Sequence, residues 1–87
     1  MVVKFYGPFE DLAEKEVSFE LKKPVSIQEM LQMIADRYPG FAQYCAKKDD
    51  VDLAAHVMIV CNGKPLRLMD RVDDKDAVNV LLPVTGG

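Results

Sequence analysis

Only one stretch of this chain carries a clear helical repeat, and that limits the folds open to it. In "SIQEMLQMIADRYPG", Ile27, Met30, Leu31 and Ile34 recur at helical spacing behind Ser26, with Glu29 three residues on, the signature of a capping box. Tyr38 precedes Pro39, which disfavours helical geometry, so the helix is predicted to stop near Arg37. A single amphipathic helix covers one face of a small sheet and leaves the other to water or a partner. The weakly patterned segment from Phe41 to Ala55 reads as a loop with one short helix around Phe41, Tyr44 and Cys45.

The rest of the chain is strand-like. "VVKFY" (2–6) is a β-rich run ended by Gly7-Pro8 and a polar stretch around Glu10 to Glu16. Val17, Phe19 and Leu21 then alternate with Glu16, Ser18, Glu20 and Lys22, which is period-two patterning with one buried face. The apolar run "HVMIVCNG" reads as a buried strand entering a tight Asn-Gly turn, and "KPLRL" returns as a short strand. "MDRVDDKDAV" reads as a charged connection with a turn, and "AVNVLLP" as the last strand, closed by Pro83. The predicted order is β-β-α-β-β(short)-β, with the first two strands in a hairpin and the first and last runs side by side at the sheet centre. This is an α+β, ubiquitin-like β-grasp: a mixed sheet of four to five strands with one main helix packed on one face. Residues 1–82 are expected to form the domain and 83–87 a flexible tail. Alternation places Val78, Val80 and Leu82 on one face with Val3 and Phe5, and Asn79 and Leu81 on the other with Val2, Lys4 and Tyr6.

Composition excludes several functions. At 87 residues there is space for one modest core, and no apolar run approaches the roughly 20 residues of a membrane helix. The start lacks a secretory signal, so a cytoplasmic location with no membrane partner is expected. A net charge of -3, with Lys22-Lys23 and Lys47-Lys48 as isolated basic pairs, argues against nucleic acid. Cys45 and Cys61 lack CxxC spacing, so no disulfide framework, redox motif or zinc site is expected. His56 has no recognisable catalytic or metal partner and reads as structural, as do both cysteines. Asp70, Asp73, Asp74 and Asp76 lack EF-hand spacing and read as a solvated turn, so no metal site is expected.

The chain ends in "LLPVTGG". Glycine weakens any strand or helix end, so two in succession after an apolar run are either a loose end or a working part. The strand-helix order, the "NGKPL" turn and the "VDDKDAVNVLLPVTGG" ending resemble the ubiquitin-like sulfur carriers of the MoaD/ThiS family over nearly the whole chain, most of all the small subunit of molybdopterin synthase. Two departures are visible. Asp74-Lys75-Asp76 stands where the family commonly has Asp-Gly-Asp, so Lys75 is expected at positive φ at a cost of about 1 kcal/mol, and Leu82 stands where a proline often precedes Pro83.

The resemblance implies that the chain is a non-catalytic co-substrate. An E1-like adenylyltransferase of the MoeB/ThiF type would use ATP and Mg to adenylate the Gly87 carboxylate, and a sulfur donor protein would displace AMP to leave a thiocarboxylate. A molybdopterin synthase large subunit of the MoaE type would then receive the sulfur in molybdenum or tungsten cofactor synthesis. The chain itself would bind no cofactor. Gly86 and Gly87 let the backbone pass a narrow channel, Pro83 launches the peptide, and Val84 and Thr85 favour extended geometry. Leu81, Tyr6 and Val2 are expected to form the docking patch, unless the 41–55 segment covers Leu81. The alternatives are a carrier for thiamin thiazole or tRNA thiolation, a ubiquitin-like protein modifier, and a plain interaction domain that does not use its carboxylate.

Overall fold

The computed structural model of the chain describes residues 1–45 and 49–83, with the backbone alone at Cys45. Strand β1 (Val2–Phe5) buries Val3 and Phe5 and pairs antiparallel with β2 (Glu16–Ser18), with Val3 opposite Val17. The expected hairpin exists, but its connection is not the polar stretch read from the sequence. It holds a short helix, α1 (Pro8–Leu12), entered through Gly7 at φ 61° with Pro8 in its first turn. Proline suits that position because its missing N–H would have no helical partner there. The helix drives Phe9 fully into the core.

After β2 the chain forms a two-residue strand, β3 (Val25–Ser26), and then the expected helix α2 (Ile27–Arg37). The capping box is complete: Glu29 N–H donates to Ser26 Oγ at 3.1 Å, and Ser26 N–H donates to the Glu29 carboxylate at 3.2 Å. Ile27, Met30, Leu31, Ile34 and Ala35 form the buried face. A 3₁₀ turn (Pro39–Phe41), α3 (Ala42–Cys45) and α4 (Asp50–Ala54) come next. The Asp49 carboxylate caps α4 by accepting from Asp52 N–H at 2.8 Å.

Strand β4 (Met58–Cys61) turns through Asn62 and Gly63 into β5 (Lys64–Pro65). Both turn residues have positive φ, 53° and 77°, as a two-residue hairpin loop requires, so the Asn-Gly reading holds. Strand β6 (Arg71–Val72) pairs with β3 in a small second sheet that the charged "MDRVDDKDAV" stretch did not suggest. Strand β7 (Ala77–Leu81) lies at the centre, parallel to β1 and antiparallel to β4. The main sheet runs β2-β1-β7-β4-β5, a mixed β-grasp sheet with α2 packed on its inner face.

Lys75 is a correction. Asn62 is the only non-glycine residue at positive φ among the described residues, so Lys75 carries no such strain. Its turn is built by side chains instead: Asp73 Oδ1 accepts from Lys75 N–H at 2.9 Å, and Asp76 Oδ2 accepts from Asp73 N–H at 2.8 Å. Asp74 accepts from Leu21 N–H at 2.8 Å and from the Met1 ammonium at 3.3 Å. These contacts hold its carboxyl below the usual carboxylate range, and the Ser26 hydrogen bonds do the same for Glu29.

The core at the α1 side is aromatic. Phe41 meets Phe5 and Phe9 edge-on at 5.8 and 5.9 Å, and Tyr44 meets Phe9 at 5.0 Å. Phe9→Ala is therefore expected to cost about 3–5 kcal/mol, a large part of a small domain's stability, read from the urea midpoint. An effect no larger than that of a surface substitution would contradict the assigned role of α1. Because Asp74 and Glu29 ionise more readily folded than unfolded, their contribution is complete above the ordinary carboxylate range and lost as pH falls through their folded values. Unfolding free energy should fall on acidification below about pH 4.5, and the Glu29→Gln/Asp74→Asn double variant should show a flatter pH profile in the same titration.

Candidate functional site

Strand β7 carries the alternation that organises the outer face. Val78 and Val80 are fully buried, while Asn79 and Leu81 are half-buried on the side that α2 does not cover. Met58 faces Leu81 and Val60 faces Asn79 across β4, while Lys4 faces Asn79 across β1. Continuing the parallel register by one residue sets Tyr6 level with Leu81, and Tyr6 N–H donates to Val80 O at 3.0 Å. The ring is 47% exposed and its hydroxyl donates to Asn79 Oδ1 at 3.2 Å.

Tyr6 and Leu81 are thus neighbours. Val2 faces Ala77 at the far end of the strand pair, four residues and about 13 Å from the Leu81 level. The residues that extend the apolar outer face beside Leu81 are Met58 and Val60, both half-buried. Sequence reading missed them because "HVMIVCNG" is apolar at every position, which hides the alternation. The missed signal lay in the register, since any residue opposite Leu81 on an antiparallel neighbour must share its face.

Leu82 departs from its expected place. Alternation put it inside with Val80, but it is 52% exposed because β7 ends at Leu81 and the two-residue period ends with it. Leu82 and Pro83 border a cleft with Tyr44, Ala55 and His56. Among the described residues, the 41–55 segment therefore meets the chain at the root of the tail. Val84, Thr85, Gly86 and Gly87, expected to pass the channel and carry the chemistry, lie outside the described residues, as does the expected flexibility of everything in 83–87 beyond Pro83.

The other reactive groups are occupied locally. His56 Nδ1 lies 3.0 Å from Asp52 O at the end of α4. Cys61 is buried, and burial together with Asp76 and Asp73 pushes its thiol pKa up, so it is protonated and a poor nucleophile. The Cys45 side chain lies outside the described part of the chain. Each acid of the "DRVDDKD" stretch accepts a backbone N–H, with Asp70 taking that of Arg67 at 2.7 Å. Among the described residues no group of three or more His, Cys, Asp or Glu could hold a metal, and no helix is long and apolar enough to cross a membrane.

Comparison with known proteins agrees with this geometry. The family model described as the ThiS family matches residues 3–87. Small archaeal modifier protein 3 of Haloferax volcanii is 26% identical over 90 residues, covering 98% of this chain and 96% of that protein. A solved structure assigned as molybdopterin converting factor subunit 1 from Pyrococcus furiosus superposes with TM-score 0.79 at 27% identity, over 95% of each chain. The crystal structure of small archaeal modifier protein 1 from Haloferax volcanii has TM-score 0.77 at 20% identity, over 100% of this chain and 98% of that one, a likeness of fold alone.

The end of β7 gives a clean contrast. Val80→Ala should cost about 2 kcal/mol, while Leu82→Ala, two residues on, should stay within about 0.5 kcal/mol in urea titrations. Equal costs would restore the inward placement of Leu82.

Proposed function

This chain belongs to the ThiS family, and from that premise we propose that it is a sulfur carrier whose Gly87 carboxylate is activated and thiolated for molybdopterin synthesis. Members of this ubiquitin-like family are carriers or modifiers, not catalysts. They work with an E1-like activating enzyme and a downstream acceptor, so the chemistry belongs to the partners and the chain supplies the acyl group.

A free carboxylate is a poor acyl donor, since its charge repels nucleophiles and oxide leaves badly. In the proposed cycle a Gly87 oxygen attacks the α-phosphate of ATP on the activating enzyme, and pyrophosphate leaves. Sulfur from a donor then attacks the acyl carbon and AMP leaves. With hydrosulfide the product is the thiocarboxylate directly. With a protein persulfide it is an acyl disulfide, which a second thiol cleaves, becoming oxidised as the thiocarboxylate is released. The anionic sulfur then attacks an electrophilic carbon of a pterin precursor held by a large synthase subunit and displaces an oxygen substituent there, and hydrolysis of the resulting thioester leaves the sulfur on the pterin and returns the carboxylate.

The observation that carries this reading is the family match running through the terminal glycines, behind a strand fixed at the sheet centre. Because β7 is paired on both sides, the tail leaves from a rigid point beside the Tyr6–Leu81–Met58 face. A partner that grips this face meets the chain where Leu82 and Pro83 leave the sheet. The P. furiosus relative favours the pterin branch. The Haloferax volcanii relative favours a second reading, in which a lysine amine captures the same activated carboxylate and forms an isopeptide on a target protein.

Intact-mass analysis after incubation with the activating enzyme, ATP and a sulfur donor separates the two readings. The carrier gains the mass difference between sulfur and oxygen, whereas the modifier appears as a much heavier adduct. Loss of Gly87 should abolish either product, and activity that survives the deletion would sink both readings. Leu81→Arg should weaken binding to the activating enzyme about tenfold or more, about 1.4 kcal/mol, with little change in the unfolding midpoint.

A further inference from the structure

The strand register lays the outer face out in rows. One row runs Tyr6, Leu81, Met58, and the next, two residues back along β1 and β7, runs Lys4, Asn79, Val60. The rows lie about 7 Å apart, and neighbours within a row about 4.8 Å apart. The first row is apolar except for the Tyr6 hydroxyl. The second sets a cation beside an amide and a valine.

The hydrogen bonds show what that second row lacks. The Tyr6 hydroxyl donates to Asn79 Oδ1 at 3.2 Å, whereas Asn79 Nδ2 makes no hydrogen bond among the described residues. Lys4 is exposed, and its ammonium makes no ion pair among the described residues although Glu16 stands opposite it on β2. Glu16 shares a shallow depression with Glu10, Lys15, Lys4 and Tyr6, but β2 lies on the side of β1 away from β7. From Lys4 across Asn79 to Val60 the row holds no acid. A body seated on Leu81 and Met58 therefore meets two adjacent, uncommitted donor groups at its border.

We propose that the activating enzyme docks on this face with an acidic side chain set against Lys4 and Asn79, one row from the apolar group it lays over Leu81 and Met58. The proposal rests on the activated-tail reading, in which carrier and modifier alike begin at that enzyme. A carboxylate fits because it only accepts, through two oxygens, and both groups it meets are donors. A lysine or arginine in its place would face a like charge and leave the donors unmatched. Since the chain as a whole carries a net charge of -3, the contact does not speed encounter with an acidic surface. It fixes the register in which the enzyme sits on the sheet.

Zero-length carbodiimide cross-linking of the full chain in complex with the activating enzyme tests this, because it joins an amine to a carboxylate only where the two touch. Peptide mass analysis should find Lys4 Nζ in amide linkage to an aspartate or glutamate of the enzyme. Lys4→Glu should weaken binding about tenfold or more, as like charges then face each other. Asn79→Asp, which keeps an acceptor for Tyr6 but places an anion where the carboxylate sits, should weaken it in the same direction, and neither should move the unfolding midpoint much. Lys4→Arg should recover most of the affinity lost in Lys4→Glu while giving no cross-link. Undiminished binding by Lys4→Glu overturns the proposal. So do cross-links from Glu10 or Glu16 to an enzyme lysine with none from Lys4, and so does the absence of any complex. If any of these is found while the chain is still thiolated or conjugated, this proposal fails alone. If the Lys4 cross-link forms but no activated product does, the activated-tail reading fails alone.

Discussion

The parallel pairing of β1 with β7 is the contact on which the rest of the molecule depends. It joins the two ends of the chain at the middle of the sheet, with Val3 against Val78 and Phe5 against Val80, all almost wholly buried. Parallel strands cannot be linked by a tight turn, so every other element must fit within the connection between these two. Helix α2 fills the inner face of that connection, and β2 and the β4–β5 hairpin complete the edges. Because β7 is held from both sides, its end is a fixed point, and the core sets the direction in which the chain leaves it.

The two faces of the sheet differ. The inner face is committed to stability, through the buried side of α2 and the aromatic cluster of Phe5, Phe9 and Phe41. Among the described residues α2 does not cover the outer face, where half-buried Leu81, Met58 and Val60 lie beside exposed Tyr6, with Asn79 and Lys4 on the same side. On the proposed reading, docking and folding use opposite sides of one strand, so substitutions on the outer side should leave stability largely intact.

Charge is handled locally. The acids between Asp70 and Asp76 hold turns together by accepting backbone N–H groups, and Asp74 links the end of the β2 arm to the start of β1. Elsewhere Arg37 donates to Ser18 O at 3.2 Å and stacks 4.4 Å from the Phe19 ring centre, covering part of the outer edge of β2. A small sheet with an open edge is exposed to unwanted strand pairing, and a charged side chain across that edge opposes it.

The sequence alone determined what short-range physics can set. The capping box and apolar spacing of α2, the Asn-Gly turn and the inward alternation of Val78 and Val80 all arise from neighbouring residues, and each is found in place. The strand-helix order, the "NGKPL" turn and the "VDDKDAVNVLLPVTGG" ending together resembled the family, and the comparisons bear that out. Tertiary structure decided the rest, because those features depend on residues distant in sequence. Helix α1 forms where Phe9 finds Phe41 and Tyr44, and β6 forms where it finds β3. Lys75 escapes positive φ because aspartate side chains close its turn. Leu82 is exposed because the sheet ends before it, and Met58 joins Leu81 because antiparallel register places them opposite each other. A two-residue period tells which side chains share a face, but only the paired strand says where that face ends and what lies beside it.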